Sequence, residues 1–244
     1  MDILDAVQAT AYLAAAGRAE ADPFAGLFLE AMDDSSRALA ASGRGEVLAR
    51  TRLLDVMLLD LLRVAPGSAV VNVGAGLCAR PYRLDLSACR ETIEIDALPV
   101  LQFKDSILSG YQASCPLRRI PGDARSLPPL PAPAIVLTEG LLVYLTHDEI
   151  AALATALAAL PGPVDWLADI VSTDSAAAMK TLAAQANSPL TLSGLDSLRV
   201  FEGAGWTVHD YRALPVNRPP GRPSPPGKAS HRIVDGVIHL RLSH

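Results

Sequence analysis

Short apolar runs alternate along the chain with longer stretches in which apolar residues recur at helical spacing. The runs predict parallel strands at 69–73, 92–96, 117–120, 134–138 and 164–171, and a closing hairpin at 206–213 and 231–242. The longer stretches predict helices at about 2–20, 46–64, 97–109, 147–160, 174–186 and 194–204. Because strands and helices alternate, the pattern predicts an α/β fold with a doubly wound, mostly parallel sheet.

A glycine turn follows the first predicted strand. The run Ala69-Val70-Val71-Asn72-Val73 breaks into Gly74, Ala75 and Gly76, and Asp96 ends the next predicted strand. Glycine lets the backbone turn tightly where a ligand approaches it, and a carboxylate at the tip of the next strand is the expected partner of ribose hydroxyls. The pair predicts a nucleotide-type cofactor.

The residues after the glycine turn help to distinguish between a dinucleotide and S-adenosylmethionine as the cofactor. A dinucleotide-binding fingerprint has a third glycine three residues after Gly76, and that position is Ala79. Alanine is sometimes accepted there, so a dinucleotide-dependent reductase stays an alternative. S-adenosylmethionine has a ribose and an adenine but no phosphate, which suits a shorter glycine turn with several carboxylates. The pattern therefore favours S-adenosylmethionine.

Two further acids stand where predicted strands end. Asp123 follows the third strand, and Glu139 follows the fourth. Ligands of open α/β sheets bind at the carboxyl ends of parallel strands. We therefore expect Asp123 and Glu139 to converge with Gly74 and Asp96 at one edge of the sheet.

Composition narrows the class of protein. The chain has 244 residues, 50% of them hydrophobic, and a net charge of −5. This length suffices for a single domain, with residues 1–65 as an N-terminal helical cap and 66–244 as the core. The negative charge gives no basic surface for nucleic acid or an anionic membrane. Three cysteines without metal-site spacing, and no export signal, predict a cytoplasmic protein without a metal.

Several motifs together resemble the leucine carboxyl methyltransferase family, in particular its bacterial branch of polyketide-type O-methyltransferases. They are RTRLLDVMLLDLL (50–62), VVNVGAGLCARPYRL (70–84), EIDALPVLQFK (94–104), TEGLLVYLTHDEI (138–150) and ATAYLAAAGRAEADPF (9–24), with weaker likeness in GAGWTVHDY (203–211). The resemblance implies S-adenosylmethionine as cofactor and a Rossmann-like class I methyltransferase fold, and it supports the seventh strand of the sheet. It also implies a small-molecule acceptor of the polyketide type.

Roles for individual residues follow from the same resemblance. It implies that Arg50 pairs with the carboxylate of the cofactor and that the turn at 74–76 borders its methionine moiety. Asp96 would hold the ribose, Asp123 and the Ala124 backbone the adenine edge, and Glu139 the amino end. Where the family usually has Asp-Thr, this chain has Cys78-Ala79, which predicts a lost polar helix cap or a weakened cofactor pocket.

The sequence says less about the acceptor and the catalytic residues than about the cofactor site. Tyr144 is expected near the same edge of the sheet, and His147 follows in the next helix as a candidate base. A carboxylate acceptor is already ionised at neutral pH, whereas a phenol benefits from a base. The sequence leaves both open.

The segments before Arg50 and between 170 and 198 are shorter than is usual in the family. An open site of this kind suits a bulky acceptor, a homodimer that completes the lid, or a partner protein that delivers the acceptor. A cofactor-binding protein without methyl transfer, acting as a cyclase or structural partner, is the rival from another class.

Overall fold

The computed structural model describes residues 11, 13–31, 44–185, 191–214 and 233–242. It contains a seven-stranded sheet with the strand order β3-β2-β1-β4-β5-β7-β6. The strands are β1 (Ala69–Val73), β2 (Thr92–Asp96), β3 (Leu117–Pro121), β4 (Ala134–Thr138), β5 (Val164–Ile170), β6 (Trp206–Ala213) and β7 (Gly236–Leu242). Strands β1 to β5 pair in parallel, and β7 lies antiparallel between β5 and β6. The predicted doubly wound sheet with a C-terminal antiparallel hairpin is confirmed.

Helices cover both faces of the sheet. They are α1 (Ala25–Glu30), α2 (Arg44–Val64), α3 (Arg80–Arg83), α4 (Leu98–Leu108), α5 (His147–Ala158), α6 (Thr173–Gln185) and α7 (Arg199–Glu202), with a 3-10 turn at Leu142–Tyr144. Residues 13–18 are also helical, within the predicted helix at 2–20, of which residues 2–10 lie outside the described part. No helix in the described ranges has the length and apolar character needed to cross a membrane.

Two hydrophobic layers hold the helices to the sheet. On one face, Leu54 and Leu58 of α2 pack with Ile135 and Leu137 of β4. On the other, Trp166 of β5 meets Trp206 and Phe201 edge-on, with ring centroids 5.5 and 5.3 Å apart. The fully buried strand β1 lies between these layers. Packing on both faces therefore holds the carboxyl end of β1 in place, and the glycine turn starts there.

One predicted helix is wrong. The sequence favours a helix over 194–204, but the structure has helix only at Arg199–Glu202. Gly194 has a left-handed backbone (φ +66°), and the amide of Leu195 donates to the carbonyl of Val171 at 2.7 Å. This pairing with the end of β5 holds the segment extended. The structure also contains helices α1 and α3 and the 3-10 turn, which the apolar pattern did not predict.

The outer ends of two predicted elements differ as well. Strand β7 begins at Gly236, whereas the pattern placed its start at 231, and residues 231 and 232 lie outside the described part. The proline-rich stretch 215–227 also lies outside the described residues.

Candidate functional site

The glycine turn after β1 is closed by a carboxylate from the neighbouring strand. Gly74 (φ +69°) and Gly76 (φ +47°) have left-handed backbones that other residues rarely adopt. The amide of Gly76 donates to Oδ2 of Asp96 at 2.7 Å, and the amide of Ala97 donates to Oδ1 at 2.7 Å. A Cβ on Gly74 would lie 3.0 Å from a methyl carbon of Leu141. Asp96 therefore holds the turn in shape.

The protonation of Asp96 is shifted by its surroundings. Burial raises the pKa of the Asp96 carboxyl above its ordinary value, and the amide bonds from Gly76 and Ala97 and the charge of Lys104 oppose that rise only partly. Asp96 therefore takes up a proton at a higher pH than an exposed aspartate does.

A cavity of about 590 Å³ opens at the carboxyl ends of the parallel strands. Its size is that of a cofactor or small-ligand site, and its position is where open α/β sheets bind ligands. All eight residues that the sequence predicted for the cofactor line it: Arg50, Gly74, Ala75, Gly76, Asp96, Asp123, Ala124 and Glu139. The fold thus brings together groups from α2 and from the ends of four strands.

Glu139 is the buried anion of this cavity. Its Oε2 lies 2.6 Å from Nη1 of Arg80, its Oε1 lies 3.4 Å from Nε of Arg50, and the Thr51 hydroxyl donates to Oε1 at 2.6 Å. Burial raises the pKa of Glu139, but Arg80 and Arg50, with the charge of Arg18, outweigh that effect and hold the pKa well below its ordinary range. Glu139 is therefore ionised throughout the neutral range.

Arg50 joins Glu139 to a second buried acid. Its Nη1 donates to Oδ2 of Asp169, near the end of β5, at 3.0 Å. The other oxygen of Asp169 accepts from the Gly140 amide at 2.6 Å. A Cβ on Gly140 would lie 2.7 Å from Nη2 of Arg50, and this glycine also has φ +67°. The Arg50 guanidinium is therefore held against the loop that follows β4.

The departure at Cys78-Ala79 lies directly before a buried arginine, Arg80. Helix α3 begins at Arg80 without a side-chain cap, in agreement with the predicted loss of one. Cys78 is buried, and its sulfur accepts from Nη1 of Arg80 at 3.2 Å. Arg80 also donates to Asp55 at 2.7 Å. The arginine that pairs with Glu139 is therefore fixed from several sides although the usual acid is missing.

Besides Arg50, two arginines that the sequence did not single out line the cavity, the buried Arg18 and the exposed Arg125. Arg18 is 4% exposed and interacts electrostatically with Glu139. Its Nε is buried and has no hydrogen-bond partner within the described structure. Arg18 is the one basic residue of the stretch 9–24 that carries the family resemblance, and this was the available signal.

The two candidate catalytic residues lie in different places. Tyr144 lines the cavity, close enough to Arg50 for its phenol to interact with the guanidinium electrostatically. His147 is exposed at the start of α5, and its Nε2 lies 3.2 Å from the carbonyl oxygen of Gly194. It is not among the residues that line the cavity. Among the described residues, Tyr144 therefore stays the candidate at the cavity, whereas His147 does not line it.

A second, larger hollow of about 780 Å³ lies at the amino end of β3, lined among others by Tyr82, Cys115 and Arg119. It includes no residue of the glycine turn and none of the buried acids. In the described ranges, no group of three or more His, Cys, Asp or Glu residues is placed to hold a metal ion. The cavity at the carboxyl ends of the strands is therefore the candidate site.

Comparison with known proteins agrees with this geometry. A Streptomyces coelicolor protein named "Putative S-adenosyl-L-methionine-dependent methyltransferase" is 36% identical over 202 residues, covering 71% of this chain and 65% of that protein. A Mycobacterium ulcerans protein of the same name is 30% identical over 263 residues, covering 86% and 82%. This chain thus spans about two thirds of the length of the first relative.

The fold has solved counterparts. The crystal structure of magnesium protoporphyrin IX methyltransferase from Synechocystis, with bound SAH, superimposes with a TM-score of 0.55 at 10% identity, covering 82% of this chain and 86% of that one.

The model of the leucine carboxyl methyltransferase family matches residues 6–158, more than half of the chain. The chain therefore belongs to the leucine carboxyl methyltransferase family.

Proposed function

We propose that this protein binds S-adenosylmethionine in the 590 Å³ cavity and transfers its methyl group to an oxygen atom of a small-molecule acceptor. One observation carries the proposal: the eight residues chosen from the sequence for this cofactor all line that cavity. The names of the relatives in Streptomyces and Mycobacterium support the same cofactor.

The nucleoside half of the cofactor would lie along β2 and the loop after β3. Asp96 accepts the ribose hydroxyls, because its carboxylate stands beside the glycine turn at the strand tip. Asp123 and the Ala124 backbone face the adenine edge. The Asp123 carboxylate is exposed and pairs with Arg125 at 3.2 Å, so its contribution to affinity is smaller than that of Asp96.

The methionine half would lie between the arginines and Glu139. Arg50 already bonds Glu139 and Asp169, whereas the buried Nε of Arg18 has no partner in the described structure. We therefore assign the cofactor carboxylate to Arg18 together with Arg50. The ionised Glu139 complements the positive amino and sulfonium groups of the cofactor.

Methyl transfer depends more on the relative position of the cofactor and the acceptor oxygen than on catalysis by side chains. When bound, S-adenosylmethionine supplies an electrophilic methyl group on its sulfonium. The buried ion pairs fix the cofactor end of the cavity, so an acceptor oxygen seated against Tyr144 is held for in-line attack. For a hydroxyl acceptor, Tyr144 with its neighbour Arg50 receives a hydrogen bond from the acceptor and helps remove its proton.

Calorimetric titration with S-adenosylmethionine and S-adenosylhomocysteine, followed by a methyl-transfer assay on phenols and carboxylic acids, tests the proposal. Micromolar binding of both compounds and transfer to an oxygen would support it. Absence of binding would overturn it. Binding without turnover across the panel would favour the rival function, a cofactor-bound cyclase or structural partner.

Replacing Tyr144→Phe should separate catalysis from binding. We expect kcat with a hydroxyl acceptor to fall about 100-fold, because a positioned proton acceptor contributes at least that much. Affinity for S-adenosylhomocysteine should stay within about threefold, since Tyr144 lies beyond the predicted cofactor contacts. Tyr111→Phe is the matched control, because Tyr111 is 47% exposed and lies outside the cavity. Equal kcat for both variants would contradict the assignment.

Cofactor affinity should depend on pH through Asp96. Its pKa is raised by burial, and ribose hydroxyls donate to the ionised form, so affinity should be constant near neutral pH and fall as the pH drops toward that raised pKa. Titrations with S-adenosylhomocysteine between pH 5 and 8 would measure this, with circular dichroism confirming the fold at each pH. Asp96→Asn should bind more weakly and lose the dependence. An unchanged slope in Asp96→Asn would assign the effect to another group.

A further inference from the structure

The acceptor end of the cavity is walled by apolar side chains from three segments. Beyond Glu139 in the chain, the described lining residues are Gly140, Leu141, Val143, Tyr144, Leu145, Val171, Met179 and Thr191. Val143 packs with Ala176 and Leu192 in one buried cluster, against which Tyr144 and Val171 also lie. Among these described residues none carries a charge at neutral pH.

The wall is preformed. The amide of Ser193 donates to the carbonyl of Val143 at 2.8 Å, and the amide of Leu195 donates to the carbonyl of Val171 at 2.7 Å. These bonds fasten residues 191–195 to both the 3-10 turn and the end of β5. An acceptor therefore meets a fixed apolar surface, and binding there costs little reorganisation.

The arginines in and beside the cavity are already paired with carboxylates or assigned to the cofactor. Arg50 is bonded to Glu139 and Asp169, and Arg80 is bonded to Glu139 and Asp55. Arg18 is assigned to the cofactor carboxylate in the proposed function, and Arg125, which also lines the cavity, is paired with Asp123 and Glu149. A carboxylate acceptor would thus lose its hydration against an apolar wall beside the anion Glu139, which is costly without a cation.

The wall continues out of the cavity along α6. Ala176, Met179 and Leu182 follow each other at a spacing of three residues and so share one side of the helix. Met179 is 38% exposed and Leu182 is 66% exposed. From Ala176 to Leu182 the helix rises about 9 Å. This surface suits an acceptor larger than a single ring.

We propose, on the basis of the proposed function, that the acceptor is an uncharged, predominantly apolar molecule with more than one ring, and that its hydroxyl group, rather than a carboxylate, is the site of methylation. Val171 and Met179 determine this preference. The hydroxyl oxygen forms the new bond to the methyl carbon as the bond from that carbon to sulfur breaks. Its proton passes to the Tyr144 oxygen as the Tyr144 hydroxyl proton passes to solvent.

Matched naphthalene probes test the proposal. Calorimetry on the protein saturated with S-adenosylhomocysteine should show 2-naphthol binding at least about tenfold more tightly than 2-naphthoate, because the wall offers the carboxylate no cation. Met179→Lys places a cation at the exposed rim of the wall, so it should raise naphthoate affinity about tenfold and reduce the ratio of the two affinities by the same factor. Val64→Lys is the matched control, since Val64 is 74% exposed at the end of α2.

Each result decides the proposal. Tighter binding of 2-naphthoate, binding of neither probe, or equal effects of Met179→Lys and Val64→Lys would overturn it while leaving the cofactor site intact. Failure of S-adenosylhomocysteine itself to bind would overturn the proposed function and this proposal together. Methyl transfer to 2-naphthol in preference to 2-naphthoate, from labelled S-adenosylmethionine, would add direct support.

Discussion

Asp96→Ala should reduce affinity for S-adenosylhomocysteine about 10²- to 10⁴-fold. The substitution removes the acceptor of two ribose hydroxyls, and hydrogen bonds to a charged group contribute about 1.5–3 kcal/mol each. It also releases the Gly76 amide, which Asp96 holds at 2.7 Å, so the glycine turn loses its support. Isothermal calorimetry on the purified variant would measure the change, and circular dichroism would show that the sheet is retained.

Two matched variants show whether this loss is specific. Asp123→Ala should cost no more than about tenfold, because that carboxylate is 57% exposed and its contacts compete with water. Asp60→Ala, on the exposed side of α2, should leave affinity unchanged. Affinity of Asp96→Ala within threefold of the unmodified protein would contradict the assignment of the ribose site.

A further comparison separates the two roles of Asp96. Asp96→Asn retains one acceptor oxygen, which can still take the Gly76 amide, and loses the charge. We expect its affinity to lie between those of the unmodified protein and Asp96→Ala. Asp96→Asn binding as weakly as Asp96→Ala would show that the negative charge on the ribose side, rather than the shape of the turn, dominates affinity.

The position of the site was predictable because it follows from strand polarity. Once the apolar runs are assigned to parallel strands, Asp96, Asp123 and Glu139 must point to one edge of the sheet. The same rule covers Asp169 near the end of β5. It was missed because the predicted strand ran on to Val171, which makes the acid look internal to a buried run.

What the sequence did not predict depends on contacts between distant parts of the chain. Nothing local indicates that Arg80 pairs with Glu139, or that Arg18 reaches the same cavity. The predicted helix at 194–204 failed for a similar reason, since the pairing of Leu195 with Val171 outweighs the local helical pattern. The placement of His147 outside the cavity could not be foreseen either, because it depends on the rotation of α5 about its axis.

A buried ion pair beneath β2 is another contact that the sequence did not predict. It leads to a prediction about stability. Lys104 of α4 and Glu94 of β2 are both fully buried, with Nζ 2.6 Å from Oε1. The second oxygen of Glu94 lies 2.8 Å from Nε of Arg119 on β3. The pair lies on the same face of β2 as Asp96, whose pKa both charges influence. It therefore connects the packing of α4 to the cofactor site.

Lys104→Met should lower the free energy of unfolding by about 3–5 kcal/mol. It leaves the buried Glu94 carboxylate with Arg119 as its remaining cation, and breaking one side of a buried pair carries a penalty of that size. This is a large share of the stability of an ordinary domain. Urea denaturation followed by circular dichroism would measure it, with Lys180→Met, on the exposed side of α6, expected to stay within about 0.5 kcal/mol.

The double variant Lys104→Met with Glu94→Gln determines the cause. If the penalty comes from an uncompensated buried charge, neutralising Glu94 should restore part of the lost stability, because the amide needs less solvation than the carboxylate. If it comes from packing of the lysine side chain, the double variant should be no more stable than Lys104→Met alone.

Lys104→Met should also raise the pKa of Asp96, because it removes a nearby positive charge. The loss of cofactor affinity on acidification should then begin at a higher pH in this variant, and a shift in the opposite direction would show that Lys104 does not act on the site through its charge.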